Sequence, residues 1–261
     1  MARPDRWNTL LDLLAGEGKV SVETASAQLG VSAATLRRDL DQLAQQQLLT
    51  RTRGGAVANG TSYDLPLRYK TSRHVSEKQR IGLAAASMVQ PGAVVGLNGG
   101  TTTTEVARAI ATRADMYALS TGPSITVVTN ALNIANELVV RRHVKVVVTG
   151  GVIRPQSYEL IGPLATLLPA QISLDFAILG VDGIDPDGGA TAHHEEEASI
   201  NQLMVSRARQ VIIVADASKL GVIAFARICP TDKVSTVVTD SGADPVLVSR
   251  LRERGVPVVT A

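Results

Sequence analysis

The segment Asn98-Gly99-Gly100-Thr101-Thr102-Thr103-Thr104-Glu105 follows directly on an apolar run and leads into an Ala-rich helical stretch. Glycines let backbone approach a ligand closely, and threonine hydroxyls together with the first N–H groups of a helix hold an anion. The same residue types also make an ordinary helix cap, so Gly100, Thr101, Thr102 and Thr103 have to be weighed with their surroundings. Polar or glycine residues recur after the other apolar runs. They are Asn130, the pair Gly150-Gly151, Asp182 in the stretch that ends near Glu197, and Asp216-Ala217-Ser218-Lys219. Hydroxyls, N–H groups and lysine suit a phosphate, whereas asparagine and carboxylates suit sugar hydroxyls.

Other chemistries lack their usual supports. No G-x-G-x-x-G follows the first strand-like run and no G-x-x-x-x-G-K-[ST] occurs, which argues against a nucleotide. Asp185 and Asp187 do not complete a calcium loop, because Gly189 stands at the next ligand position. His193-His194 precede Glu195, Glu196 and Glu197, but adjacent residues on a helix point in different directions, so this reads as a solvated helix start rather than a metal site. No cofactor and no metal are expected.

The elements that must position these residues are legible as apolar runs at 94–97, 125–129, 144–149, 176–180, 211–215, 234–239 and 256–259, alternating with helical stretches from residue 81 onward. Continuous runs of this length suit strands covered on both faces, hence a doubly wound, mostly parallel α/β domain. Ligands of such folds gather at the carboxyl ends of the strands, which is where the polar residues fall.

The amino-terminal part has a different pattern. Trp7, Leu10, Leu11 and Leu14 fall at helical spacing over 6–16, a second helix fits 22–29, and Gly30 stops it. Ser32 is placed to cap a third helix in which Leu36, Leu40 and Leu43 form the inward stripe. Its opposite face carries Ala34, Arg38 and Asp41, flanked by Thr35 and Arg37. Two helices around a glycine turn, with arginines early in the second, have the layout of a helix-turn-helix reader. Arginine bonds guanine O6 and N7 together, or grips a phosphate. Residues 48–57 read as a β-hairpin wing whose Arg51 and Arg53 are candidates for phosphate or minor-groove contact.

Charge agrees with this division: residues 1–80 carry a net +4 and residues 81–261 a net −2. Most of the excess lies in a basic stripe over 51–80, which points to a polyanionic partner but also suits a solvated linker. Apolar residues at 45% supply an ample core, while 3% aromatics require it to be built from Val, Leu, Ile and Ala. Cys229 is the sole cysteine, which excludes a disulfide framework. With no signal-peptide pattern and no run of some 18 apolar residues, the expectation is a cytoplasmic protein with no membrane segment. The expected division is 1–57 as the DNA-binding domain, 58–80 as a linker, and 81–261 as the larger α/β domain, which the resemblance described next implies is the effector-binding and oligomerisation domain.

The string GVSAATLRRDLDQLAQQQLLTRTRGGAV resembles the winged helix-turn-helix of DeoR-type bacterial transcription regulators. The signature V-S-x-x-T-[IL]-R-R-D-L is met by Val31, Ser32, Thr35, Leu36, Arg37, Arg38, Asp39 and Leu40, and the terminal R-x-x-G-G-A by Arg51 or Arg53 before Gly54-Gly55-Ala56. Ala25 and Ser26 depart from the usual larger aliphatic and alanine of the supporting helix. The second part resembles the effector-binding domain of the same regulators, related in fold to ribose-5-phosphate isomerase. Its landmarks are Lys78, Gly100-Thr101-Thr102-Thr103, Thr129-Asn130, Gly150-Gly151, Asp182-Gly183, Glu197-Ala198, Asp216-Ala217-Ser218-Lys219 and Thr239-Asp240. Asn98-Gly99 and His193-His194 are unusual for the family.

The resemblance implies a regulator, more often a repressor than an activator, whose affinity for a double-stranded DNA operator changes when a phosphorylated sugar or its metabolite binds. In this reading a homo-oligomer, dimer or tetramer, forms through the larger domain. The phosphate lies at Thr101, Thr102 and Thr103 with Lys219, while Asp182, Asn130 and Glu197 meet hydroxyls. An aldose–ketose phosphate isomerase with an accessory DNA-binding domain is the competing reading. It is weakened because Pro186-Asp187-Gly188-Gly189-Ala190 supplies no lysine after the acidic loop. A purely structural oligomer is the third.

Overall fold

The computed structural model of the chain describes residues 3–46, 48–58, 66–71, 73–117 and 122–261, and divides into two compact units, Met1–Ser72 and Arg73–Ala261.

In the first unit, α1 (Arg3–Glu17) turns Trp7, Leu10, Leu11 and Leu14 inward, and Gly18, at φ +71°, ends it. A short strand β1 (Lys19–Ser21) follows, then α2 (Val22–Leu29), stopped by left-handed Gly30, and α3 (Ala33–Gln45). The hairpin β2 (Thr50–Thr52) and β3 (Gly55–Val57) forms the expected wing. β1 adds to it, giving an antiparallel sheet in the order β1-β3-β2. Three residues between Gly18 and α2 are too few to show a period, so β1 is invisible in the sequence. Leu36, Leu40 and Leu43 of α3 close the core against α1 and α2. A single turn, α4 (Leu67–Lys70), brings the Tyr69 hydroxyl to Gln46, donating to its Oε1 at 2.7 Å.

The connector expected over 58–80 is cut short at its far end by α5 (Val75–Ser87). Lys78, Ile81 and Ala85 form one buried stripe of this helix. A lysine at its head hides the helical period from residue 81 backward. Residues 59–65 and 72 of that connector lie outside the described residues.

After α5 come β4 (Val94–Leu97), α6 (Thr101–Thr112), β5 (Ile125–Thr129), α7 (Leu132–Leu138) and β6 (Val144–Val148). A hairpin of β7 (Val152–Arg154) and β8 (Glu159–Ile161) precedes β9 (Leu174–Gly180), β10 (Gly183–Asp185) and β11 (Gly189–Ala192). The chain ends with α8 (Glu195–Arg207), β12 (Ala208–Val214), β13 (Ala226–Cys229), β14 (Thr236–Thr239), α9 (Pro245–Glu253) and β15 (Val258–Thr260). Seven strands pair, all in parallel, in the order β15-β14-β12-β9-β4-β5-β6. The small antiparallel sheet β10-β11-β13 and the β7–β8 hairpin are additions that the sequence reading lacked.

Each strand sends alternate residues to opposite faces. Val95, Leu97, Ile178, Ile212 and Val214 join one core with α5, α6 and α7. Ala177, Leu179, Val211, Ile213 and Val237 join the other with α8, α9 and the antiparallel sheet. Burial on both faces explains why these strands read as unbroken apolar runs. Renumbered along the sheet from the β6 edge, the order is 3-2-1-4-5-6-7, so successive strands reverse direction of travel between β4 and β9. The crevice beyond the carboxyl ends of those two strands is the topological switch point, where doubly wound sheets bind ligands.

Among the described residues no helix is long and apolar enough to cross a membrane, and no three His, Cys, Asp or Glu side chains come together to hold a metal.

Candidate nucleic-acid interface and anion site

Ser32 caps α3 as its type predicts: its Oγ accepts from the Thr35 N–H at 3.1 Å, and its carbonyl from the Leu36 N–H at 3.0 Å. The cap sets the first turns of α3 with Ala34, Arg37 and Arg38 exposed and Thr35 half-buried. Among the described residues Arg37, Arg38 and Arg53 meet no carboxylate, which leaves three cations open to an incoming anion. A cleft of about 810 Å³ lies between the start of α3, α2 and the wing, with Arg37 and Arg53 among its lining residues.

Arg51 is placed differently from its neighbour. Its Nε donates to Asp41 on α3 at 2.8 Å and its Nη1 to the Gly55 carbonyl, so it braces the wing against the helix. Asp39, within the arginine signature, is also turned inward. It is 3% exposed and accepts from Arg6 Nε at 2.5 Å, Arg6 Nη2 at 3.1 Å and Trp7 Nε1 at 2.8 Å. Asp39 therefore ties α3 to α1 and faces away from solvent.

In the second unit the switch point is held by a reciprocal clasp. Asn98 Nδ2 donates to the Gly180 carbonyl and Gly180 N–H to Asn98 Oδ1, both at 2.9 Å, joining the ends of β4 and β9. Gly100, at φ +147°, turns the chain into α6, whose amino terminus carries no side-chain cap. The Thr103 and Thr104 hydroxyls bond back to the Gly100 carbonyl at 3.1 and 2.6 Å. This leaves the first N–H groups of α6, with Thr101 and Thr102, as the anion-receptive part of the loop.

Two of the expected residues, Asn130 and Glu197, converge on one that the sequence reading missed. Glu159, at the start of β8, accepts from the Gly99 N–H at 2.6 Å and from Asn130 Nδ2 at 3.3 Å, both on Oε1. A Cβ on Gly99 would lie 2.4 Å from Glu159 Cγ, so only glycine fits there. Glu197, in the first turn of α8, lies beside Glu159 and accepts from Arg154 Nη1 at 3.1 Å. Burial, then the Glu197 charge, pushes the Glu159 carboxyl up to about 8, while the Gly99 N–H works in the opposite direction. Gly150 and Gly151, at φ +79° and +120°, form the turn that carries β7 and β8 over the strand ends. A Cβ on Gly151 would meet Ala165 Cβ at 2.7 Å. Their part is thus to place Arg154 and Glu159.

The other expected residues form separate contacts. Lys78 is buried and its Nζ donates to the Arg73 carbonyl at 2.6 Å. Burial lowers the Arg73 guanidinium pKa, and the Asp216 charge opposes it. Asp216 caps the turn at Ala217–Lys219, accepting from the Ser218 N–H at 3.1 Å, and Lys219 is half-buried with its ammonium uncommitted among the described residues. Asp182 Oδ2 accepts from the His193 N–H at 2.9 Å. Arg154 and Glu159 escaped notice because a Pro-Gln-Ser-Tyr turn separates two three-residue strands. The available signal was a lone glutamate opening the apolar pair Leu160-Ile161.

A winged helix-turn-helix joined to a doubly wound α/β unit with a glycine–threonine loop at its switch point defines a class of DNA-binding transcription regulators with an attached sensor. Residues 6–62 match the DeoR-like helix-turn-helix domain and residues 73–241 the DeoR C terminal sensor domain. The chain is 32% identical over 241 residues to the glycerol-3-phosphate regulon repressor of Escherichia coli, covering 92% of each chain. It is 31% identical to the HTH-type transcriptional regulator GlpR of Haloferax volcanii, covering 99% of this chain and 98% of that one. Among solved structures, ribose 5-phosphate isomerase A from Methanocaldococcus jannaschii matches 56% of this chain and 55% of its own, with a TM-score of 0.42 and 16% identity. The chain belongs to the DeoR family of transcription regulators.

Proposed function

We propose that this regulator represses a carbohydrate-metabolism operon and is switched by a phosphorylated sugar bound at the β4–β9 crevice. The observation that carries the reading is the uncapped start of α6 beside a buried cluster of amide and carboxyl groups, an anion acceptor adjoining hydroxyl acceptors. A relative's designation as a glycerol-3-phosphate regulon repressor is in keeping with such a ligand. Thr101 and Thr102 hold the phosphate, Lys219 supplies the counter-charge, and Asn130, Asp182 and Glu197 serve the hydroxyls. Arg37, Arg38 and Arg53 meet the operator, with Ser32, Ala34 and Thr35 at the start of the reading helix and Arg51 holding the wing in place. A homo-oligomer presents two such helices to an inverted repeat. Ligand binding acts by its differential affinity for two states of the protein. The chain binds its ligand without turning it over, since proton transfer between sugar carbons calls for a base and a cation aimed at the same enediol.

Retention of a labelled promoter fragment by the full chain, titrated with phosphorylated sugars, tests this. The wild type should release or tighten on DNA with at least one sugar phosphate. Thr102→Ala and Lys219→Ala should bind DNA normally and ignore that ligand, and Arg37→Ala with Arg38→Ala should lose DNA. Normal ligand response in both sensor variants would remove the assigned site.

A further inference from the structure

One carboxyl oxygen of Glu159 receives two donors that belong to different parts of the site. The Gly99 N–H belongs to the anion loop, and Asn130 Nδ2 to the end of β5. With its nitrogen held by Glu159 and, at 3.4 Å, by the Leu160 carbonyl, the Asn130 amide has a fixed orientation. Asn130 is fully buried, yet its Oδ1 has no partner among the described residues. An acceptor kept in that state awaits a donor. We propose that Glu159 is the positioning residue that sets ligand selectivity: through one oxygen it fixes the distance between the anion loop and the free Asn130 carbonyl, which accepts a hydrogen bond from a hydroxyl of a phosphorylated polyol.

This rests on the sugar-phosphate reading above and adds a ligand class to it, phosphate monoesters with a hydroxyl near the ester. The Glu159 proton matters to the same selection. While it is held, Glu159 is neutral, and Glu197 pairs with Arg154 at 3.1 Å. Once it is lost, a second carboxylate stands beside the loop and repels the phosphate. The charged or titratable side chains around β8 are Glu197, Glu196 and the preceding His194 and His193 from α8 and its approach, and Arg154 from β7. The loop before α6 and the end of β5 present Asn98, Asn130 and threonine hydroxyls, and the turn at Pro163–Thr166 has nothing that titrates.

The test compares the tightest binder among glycerol 3-phosphate, ribose 5-phosphate and fructose 6-phosphate with propyl phosphate, by calorimetric titration of the full chain at pH 7 and pH 9. The wild type should prefer the hydroxylated ester by about tenfold at pH 7, the worth of one net hydrogen bond, and should bind both esters more weakly at pH 9. Glu159→Ala should bring the preference below about threefold. Glu159→Gln keeps an acceptor for Gly99 and Asn130 and a donor for Glu197, so it should retain the preference at pH 7 and lose the weakening at pH 9. Thermal melting checks that each variant is folded. A wild-type preference surviving in Glu159→Ala, or a Glu159→Gln profile that follows the wild type to pH 9, overturns the proposal. If no ester binds the wild type or alters its grip on DNA, the sugar-phosphate reading falls and this inference with it. If esters bind and act normally without dependence on Glu159, this inference alone falls.

Discussion

Replacing Asp39 by alanine separates the structural from the proposed DNA-reading residues of the arginine signature. Asp39 accepts three hydrogen bonds from Arg6 and Trp7, and its loss removes the carboxylate from a guanidinium whose side chain is 11% exposed. Breaking a buried pair by removing one partner costs about 3–5 kcal/mol. The amino-terminal unit spans Met1–Ser72, and at ~0.05–0.15 kcal/mol per residue its total stability is about 4–11 kcal/mol. Asp39→Ala therefore removes about a quarter of that stability at the least, and in the marginal case all of it. Trp7 is the only tryptophan and sits in this unit, so its fluorescence in a urea titration reports on this unit and not on the sensor. With a slope of ~1 kcal/mol per molar urea for so small a unit, the midpoint should fall by about 3–5 M. DNA retention should drop in step with the folded fraction. Arg37→Ala is the contrasting control and should weaken DNA binding with the midpoint unmoved. If Asp39→Ala shifts the midpoint by less than about 0.5 M while DNA affinity falls tenfold, Asp39 acts at the DNA and the reasoning fails.

Three further outcomes are expected. Ser32→Ala removes the cap of α3 and should cost about 1 kcal/mol in the same urea experiment. Gly55→Ala would place a Cβ 2.0 Å from the Val20 carbonyl oxygen, so the β1–β3 pairing should open and DNA retention fall, with the sensor's melting temperature unchanged. Stability of the sensor should depend on Glu159 with a definite sign. The unfolded carboxyl loses its proton near 4.5 and the native one near 8, so the native state binds more protons between those values and stability declines as pH rises through that window, levelling above it. Thermal unfolding of Glu159→Gln from pH 5 to 9 should show a shallower decline; an unaltered slope would contradict the assignment.

Much of this was readable from residue order, for reasons that differ by element. The seven apolar runs correspond to the seven strands of the parallel sheet because double burial removes polar alternation and leaves a strong, continuous signal. Ser32 was readable as a cap because a side-chain acceptor three residues ahead of its donor is a local matter. The short strands of the β7–β8 hairpin and of β10, β11 and β13 depend on tertiary pairing and have no period of their own. Arg51 and Asp39 show a different limit. Composition marks them as charged and near the reading helix, but whether a charge faces solvent or an internal partner is decided by helix packing. Glu159 was out of reach for the same reason, since its two donors come from residues 60 and 29 positions away.

The clasp between Asn98 and Gly180 joins positions 82 apart, whereas β4 to β6 and β9 to β15 are each built from near neighbours in the chain. Contacts between near neighbours assemble quickly, and those that close long loops come late. The two halves of the sheet should accordingly gather separately during folding and meet last along the β4–β9 seam. A nascent chain released at that stage would have both lobes formed and the crevice still unmade, and limited proteolysis during refolding should find the segment between β8 and β9 protected after both lobes.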